Sequence, residues 1–209
     1  MSQANLAVGA HAPAGVMEES PFSIPSRKLV MWLFILSDAV TFGAVLYGYG
    51  YLRNSTSNWP HPFEFSSVIN ALIMTVILVT SSLTMLLGIR AAKLGDKSKA
   101  IMWSFVTVAG GILFAGLHLR EWFGLIHEGM TLTQNPWGSG IFGATFFCIT
   151  GLHLTHVVGG VIAITVVTLG YKRGRYNEGH LEIWGLYWHF VDLVWMFVVP
   201  FVYLLNAKH

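Results

Sequence analysis

The chain has 209 residues, of which 54% are hydrophobic and only 11% are charged, and its mean hydropathy is +0.60. Soluble domains carry about 25% charged residues, so this composition excludes an ordinary soluble domain and indicates a polytopic membrane protein. The formal net charge of +2 is too small and too scattered to indicate a nucleic-acid-binding protein. The single cysteine, Cys148, excludes an intramolecular disulfide.

A polar segment precedes five long apolar runs. Residues 1–28 are rich in small residues and prolines, which predicts a flexible cytoplasmic N-terminal tail. Each apolar run exceeds the roughly 20 residues that a helix needs to cross a bilayer. Residues 29–209 are therefore predicted to form an all-α transmembrane domain, a bundle of five helices with spans at 29–52, 65–89, 100–122, 141–171 and 183–205. Pro200 is expected to kink the last helix, because it leaves the Met196 carbonyl without its usual donor.

Basic residues are distributed unevenly between the two sides of such a chain. With the N-terminus in the cytoplasm, the cytoplasmic side carries Arg27, Lys28, Arg90, Lys93, Lys97, Lys99, Lys172, Arg173 and Arg175. The other side carries only Arg53, Arg120 and Lys208. Cytoplasmic loops of membrane proteins are enriched in lysine and arginine, so the pattern predicts an N-in, C-out orientation.

The stretch 184–199 is apolar except for His189 and Asp192, whose spacing places both side chains on one helix face. An ionisable pair at membrane depth is costly, so it must face protein or enclosed water. Asp38 lies nine residues into the first span and Asp192 about ten into the last, or roughly 14 and 15 Å deep at 1.5 Å per residue. The two carboxyl groups can therefore share a polar layer.

Two further pairs of polar residues lie three residues apart within the spans. They are His118 with Glu121, and His153 with His156. A neutral imidazole beside a protonated carboxylic acid is the least costly way to bury both. Three interpretations stay open on this evidence: hydrogen bonding between helices, a proton or ion path, and ligation of a metal or haem. The histidine spacing without a close third ligand is a weak metal signal.

Small residues recur every four positions in the fourth span, at Gly151, Thr155 and Gly159. Such a ridge lets another helix approach closely, so these three residues are predicted to serve helix packing. His189 is predicted to fasten the bundle in the same way. The tryptophans of the last span are more typical of lipid or interhelix packing than of cofactor contacts.

Three motifs resemble subunit III of the haem-copper respiratory oxidases. The family's last-helix signature is matched by residues 187–195, YWHFVDLVW. Its penultimate helix is matched by residues 140–147, GIFGATFF, and then by 150–157, TGLHLTHV. Its intramembrane carboxylate motif is matched by residues 34–38, FILSD. The resemblance covers residues 29–205, and the motifs occur in the family's order.

The resemblance implies a multi-pass protein of the bacterial inner membrane that acts as a non-catalytic oxidase subunit. Such a subunit binds beside catalytic subunit I and the other oxidase subunits, holds structural phospholipids, and sustains proton uptake. It has no metal, haem or copper of its own, since these lie in the partner subunit. The family's intramembrane polar positions are matched by Asp38, Glu121, His153, His156 and Asp192. Membership of a larger respiratory supercomplex stays open.

The chain departs from many family members in three ways. Its five predicted helices match the short bacterial form, without the two further helices that close a lipid-holding cleft. Asp38 replaces a glutamate, so its shorter side chain is expected to reach a water or a different residue. Leu154-Thr155 stands where a glycine is usual. Alternative interpretations are an accessory subunit of a nitric-oxide reductase, a haem-binding membrane anchor, and an independent proton or ion transporter.

Overall fold

The computed structural model describes residues 25–208 as five long α-helices followed by two short helical turns. The helices are α1 (Ser26–Ser55), α2 (Phe65–Lys93), α3 (Lys97–His127), α4 (Gly140–Lys172) and α5 (Glu178–Val198). A π-helical turn (Val199–Tyr203) and a 3-10 turn (Leu204–Asn206) complete the chain. Within the described residues, five segments are long and apolar enough to cross a membrane. The predicted all-α, five-helix membrane architecture is confirmed.

The helices extend past most of the predicted apolar spans, and charged residues at the ends of α1, α2 and α5 contact each other. The first helix begins three residues earlier than predicted, so the end of the predicted tail is helical, and residues 1–24 lie outside the described part. Arg27 and Lys28 bind the start of α5: Arg27 Nη1 lies 2.8 Å from His180 Nε2, and Lys28 Nζ donates to Glu182 Oε1 at 2.8 Å. Lys93, at the end of α2, lies 3.1 Å from the other Glu182 oxygen.

The second to fifth helices form a four-helix bundle, and α1 lies outside it against α4 and α5. The most apolar window of α1 is only 11% buried, against 50% for the last span. Only Met31, Phe42 and Tyr49 of α1 are buried. The fifth helix therefore occupies the centre of the molecule, since it packs against α1, α2 and α4.

Trp188 is the side chain that joins α5 to the rest of the bundle. Its indole lies against Gly111 of α3 and Gly160 of α4, where an added Cβ would lie 2.6 and 2.9 Å from ring carbons. Neither glycine can carry a side chain unless the indole moves. The indole N–H donates to Ser81 Oγ on α2 at 3.0 Å. One residue of the signature stretch thus contacts all three other helices of the bundle.

Asn206 holds the C-terminal turn against α1 and the first loop. Its side chain is fully buried. The Oδ1 atom accepts from Trp59 Nε1 at 2.9 Å and from Arg53 Nε at 3.4 Å, while Nδ2 donates to the Val202 carbonyl at 2.7 Å and to the Tyr49 hydroxyl. The preceding helical pattern changes from α to π just before Pro200, because proline has no N–H to donate.

Candidate functional site

The predicted intramembrane polar residues fall into three separate groups, each at a different helix contact. One group lies between α1 and α4 and consists of Asp38 and His156. A second lies inside the bundle and contains His118, Glu121 and His153. The third lies between α2 and α5 and contains His189 and Asp192. The two aspartates thus contact different helices, and their similar depth does not bring them into one pair.

Asp38 on α1 and His156 on α4 form a close pair. His156 Nδ1 lies 2.7 Å from the Leu152 carbonyl, and because a carbonyl only accepts, Nδ1 carries a hydrogen. His156 Nε2 lies 3.3 Å from Asp38 Oδ2, within ion-pair range although outside hydrogen-bond geometry. A deprotonated Nε2 facing an ionised carboxylate would set two lone pairs against each other. A carboxyl group and an imidazole nitrogen thus face each other within ion-pair range between α1 and α4.

Aromatic side chains enclose this pair. The Phe42 ring meets the His156 imidazole edge-on at a centroid distance of 5.1 Å. The Tyr187 hydroxyl donates to the His156 backbone carbonyl at 3.1 Å. The carboxyl and imidazole side chains are only 17% and 18% exposed. The shorter carboxylate of Asp38 therefore reaches a histidine of its own chain, in surroundings that exclude most solvent.

The two histidines inside the bundle are held by aromatic rings. His153 Nε2 donates to the Val191 carbonyl at 3.1 Å, and neither ring nitrogen of His118 has a partner among the described residues. Both imidazoles pack on Phe114 and Trp195, with ring centroids 4.9 to 5.7 Å apart. A haem needs its two axial imidazoles on opposite faces of the macrocycle. The aromatic rings fill that space, so these two histidines do not fit a haem.

Glu121 joins α3 to α2 and to the C-terminal turn. Its Oε2 atom accepts hydrogen bonds from Asn70 Nδ2 and from the Tyr203 hydroxyl, each at 3.3 Å. Its Oε1 atom is buried without a partner among the described residues. Within residues 25–208, no group of three or more His, Cys, Asp or Glu side chains is placed to hold a metal ion.

His189 and Asp192 face α2, where both side chains lie next to a serine hydroxyl. His189 Nδ1 lies 3.1 Å from Ser82 Oγ, and the Asp192 carboxyl lies beside the same hydroxyl. About one turn further along α5 from Asp192, Trp195 Nε1 donates to Thr75 Oγ1 at 3.1 Å. Sequence reasoning missed these α2 hydroxyls. The sequence feature that indicates them is the run VTSSLT at 79–84, which is rich in hydroxyl groups within an uncharged span.

The predicted small-residue ridge of α4 is only partly used within this chain. Gly151 lies against the Trp122 ring, where an added Cβ would be 3.2 Å away. Thr155 and Gly159 are exposed, and the close contact is made by Gly160 instead. The buried face of α4 follows the 3.6-residue helical period, and a strict four-residue spacing drifts away from it. A packing role for Thr155 and Gly159 therefore stays a prediction, and it now concerns contact with another subunit.

A bundle of apolar helices with ionisable residues at its helix contacts defines a multi-pass integral membrane protein. The family model for cytochrome c oxidase subunit III matches residues 22–207. The chain belongs to this family, and the resemblance seen in its motifs is confirmed.

Individual relatives match over most of their length. Cytochrome c oxidase subunit 3 of Bacillus sp. (strain PS3) is 32% identical over 197 residues, 93% of each chain. Quinol oxidase subunit 3 of Bacillus subtilis (strain 168) is 32% identical over 181 residues, 85% of this chain and 86% of the relative. Cytochrome c oxidase subunit 3 of the same strain is 34% identical over 185 residues, 87% of each chain.

The protein is thus an accessory subunit III of a haem-copper oxidase, a multi-pass protein of the inner membrane that works with the other oxidase subunits. Both the family model and the relatives carry the names of oxidase subunits, which does not favour a nitric-oxide reductase accessory protein. The aromatic packing around His118 and His153 likewise does not favour a haem-binding anchor.

Proposed function

We propose that this subunit stabilises catalytic subunit I and supports its proton uptake, with Asp38 and His156 as a proton-holding pair. One observation carries the proposal: Asp38 Oδ2 lies 3.3 Å from His156 Nε2, while the Leu152 carbonyl occupies His156 Nδ1 and so leaves Nε2 as the nitrogen that can exchange a proton with the carboxyl group. The pair lies about midway along α1, where ionisable residues commonly mark proton paths. Glu121, His153 and Asp192 then serve as structural hydrogen-bonding residues at the other helix contacts.

The redox chemistry belongs, in this proposal, to the partner subunit. Haem and copper lie in catalytic subunit I, and this chain supplies none of their ligands. Protein contacts already occupy one ring nitrogen in each of His153, His156 and His189. Membrane phospholipids cover the apolar outer surface. The named relatives include subunits of both cytochrome c and quinol oxidases, and both electron donors remain candidates.

An N-in, C-out orientation is part of the same proposal. The fold brings the starts of α1 and α5 and the end of α2 together through Lys28, Lys93 and Glu182. The helix ends and the short α4–α5 loop at this end carry most of the other basic residues, namely Arg90, Lys97, Lys99, Lys172, Arg173 and Arg175. That concentration of positive charge supports a cytoplasmic location for this end.

Substitution of Asp38 tests the proton-holding role. Asp38→Ala leaves Nε2 without its partner and is expected to cost about 1–3 kcal/mol of stability. Asp38→Asn keeps the side-chain size and can donate a hydrogen to Nε2, so the complex should assemble normally. Because an amide cannot release that proton, proton uptake should slow and the oxidase should inactivate after fewer turnovers. Both are measured on the purified complex, as proton-uptake rate and as turnovers before inactivation.

Ser37→Ala provides the matched control on the same helix. The Ser37 hydroxyl donates only to the Phe34 carbonyl of its own helix, at 2.8 Å, and is exposed. Its loss should leave proton uptake and lifetime unchanged. An Asp38→Asn complex with the proton uptake and lifetime of the unmodified complex would show that the pair is only structural.

A further inference from the structure

Four buried side-chain atoms inside the bundle have no hydrogen-bond partner within the described part of the chain, and they belong to one group of residues. They are both ring nitrogens of His118, His153 Nδ1 and Glu121 Oε1. The two imidazoles are 0% exposed. Both pack on Phe114 of α3 and on Trp195 of α5. A buried polar atom without a partner is costly, so these atoms need partners that the described side chains do not supply.

Each imidazole of this group needs a hydrogen-bond donor. His153 Nε2 carries a hydrogen, because the Val191 carbonyl at 3.1 Å can only accept. No ion pair among residues 25–208 includes His118 or His153, and a charged imidazole buried without a carboxylate is costly. Both rings are therefore neutral, and a neutral imidazole has one bare nitrogen that accepts. An aromatic face can accept the N–H of His118, but it cannot donate to the bare nitrogen.

The donors that surround the imidazoles already have acceptors. Trp122 Nε1 donates to Thr150 Oγ1 at 3.2 Å, and that hydroxyl donates to the Phe146 carbonyl at 2.7 Å. Trp195 Nε1 donates to Thr75 Oγ1 at 3.1 Å. These indole and hydroxyl groups therefore have no hydrogen left for the bare imidazole nitrogens. The arrangement favours a small bound molecule that brings its own O–H hydrogens.

A polar pocket of about 230 Å³ lies next to this group, where α2 begins and α3 ends. Glu121 is part of its lining, and most of the other lining side chains are polar. Glu121 follows His118 by three residues, so the two side chains lie on one face of α3, with Glu121 nearer the end of the helix. One water takes up about 30 Å³ in the liquid, so the pocket has room for several waters.

We propose that His118, Glu121 and His153 form an internal water-binding site that fills from this pocket. Waters donate to the bare nitrogen of His118 and to His153 Nδ1, and one of them bonds to Glu121 Oε1. The aromatic rings leave no space for a macrocycle, but a water is small enough to lie at their edges. A hydrated path thus runs from one end of the bundle to its centre. It is separate from Asp38 and His156, which lie between α1 and α4, and it does not depend on their proton-holding role.

Hydroxyl-radical footprinting of the intact oxidase complex tests this site. An X-ray pulse converts water into hydroxyl radicals in place, so a buried side chain is oxidised when water lies beside it. Trp195 and Trp188 are 0% and 1% exposed, and Trp195 contacts both imidazoles. Trp188 lies instead against Gly111 and Gly160. Trp195 should therefore be oxidised several-fold faster than Trp188, and equal oxidation of the two indoles would overturn the assignment.

His118→Phe removes both ring nitrogens but keeps a flat ring against Phe114. Oxidation of Trp195 should fall several-fold in this variant, towards that of Trp188. His127→Phe is the matched control, because it removes an exposed imidazole at the end of the same helix and should change neither indole. Unchanged oxidation of Trp195 in the His118→Phe complex would contradict the proposal. A rise in the oxidation of Trp188 would show instead that the variant has lost its fold.

Electron cryomicroscopy of the unmodified complex decides the question without any substitution. Water density is expected at hydrogen-bond distance, about 2.7–3.2 Å, from a ring nitrogen of His118 and from His153 Nδ1. A map that resolves ordered water elsewhere in the complex but none at these two rings would overturn the site. Neither the density nor the oxidation rates depend on proton uptake, so the proposed function can fail while this site stands.

Discussion

Trp188→Ala is expected to destabilise the subunit by about 3–5 kcal/mol, as large aromatic-to-alanine changes in cores do. The indole fills the space between Gly111 and Gly160, and these glycines cannot close the cavity because they carry no side chain. Ser81 also loses the indole N–H. Native stabilities are only about 5–15 kcal/mol, so the change removes a large share. Thermal unfolding of the detergent-solubilised complex, followed by the loss of this subunit, measures it.

Two variants separate the cavity from other effects. Trp184→Ala removes an indole that is only half buried, one turn earlier on α5, and should have a smaller effect. Trp188→Phe retains most of the ring but loses the N–H, and should fall between the wild type and Trp188→Ala. If Trp188→Ala and Trp184→Ala lowered the unfolding temperature equally, the Trp188 indole would not be the central contact of the bundle.

Asn206→Leu is expected to detach the C-terminal turn at a cost of about 2–6 kcal/mol, because two or more buried polar groups lose their partners at 1–3 kcal/mol each. Leucine has a similar size but leaves the Trp59 N–H without its acceptor. The Tyr49 hydroxyl and the Arg53 guanidinium lose their contacts with Asn206 as well. Thermal unfolding and limited proteolysis of the first loop, residues 56–64, report the two consequences.

Asn54→Leu is the control for this substitution, since Asn54 is exposed at the end of α1. It should leave both the unfolding temperature and the protease resistance of the loop nearly unchanged. An Asn206→Leu subunit with the loop protection and unfolding temperature of Asn54→Leu would show that the network around Asn206 contributes nothing.

The five spans could be predicted from sequence because hydrophobic length alone decides whether a helix crosses a bilayer. The distance of a residue along its helix follows from the rise per residue. The direction in which a side chain points around the bundle was not. Asp38 and Asp192 have similar predicted depths, yet one faces His156 on α4 and the other lies beside Ser82 on α2.

Contacts that depend on close packing were harder still to predict. The sequence pattern favoured Gly151, Thr155 and Gly159 because their spacing is regular. Gly160 makes the close contact instead, since it meets the large ring of Trp188, and no local pattern identifies that partner. Asn206 falls one residue beyond the predicted end of the last span, and its role depends on residues about 150 positions earlier.

The signature stretch of α5 acts, in this account, mainly as a structural centre. Trp188 and Trp195 hold α5 to α2 through Ser81 and Thr75. His189 adds a contact with Ser82 on the same helix. The proposed proton-holding pair lies instead between α1 and α4. The stretch identifies the family through the residues that build the bundle.

Copurification from native membranes in mild detergent tests most directly whether this chain works as a subunit without redox centres. A catalytic subunit with haem and copper should copurify with it, identified by mass spectrometry and by the Soret absorption of the complex. After the subunits are separated, the Soret band should remain with the catalytic subunit. A chain that purifies stably alone, or one that retains the Soret band after separation, would contradict the account.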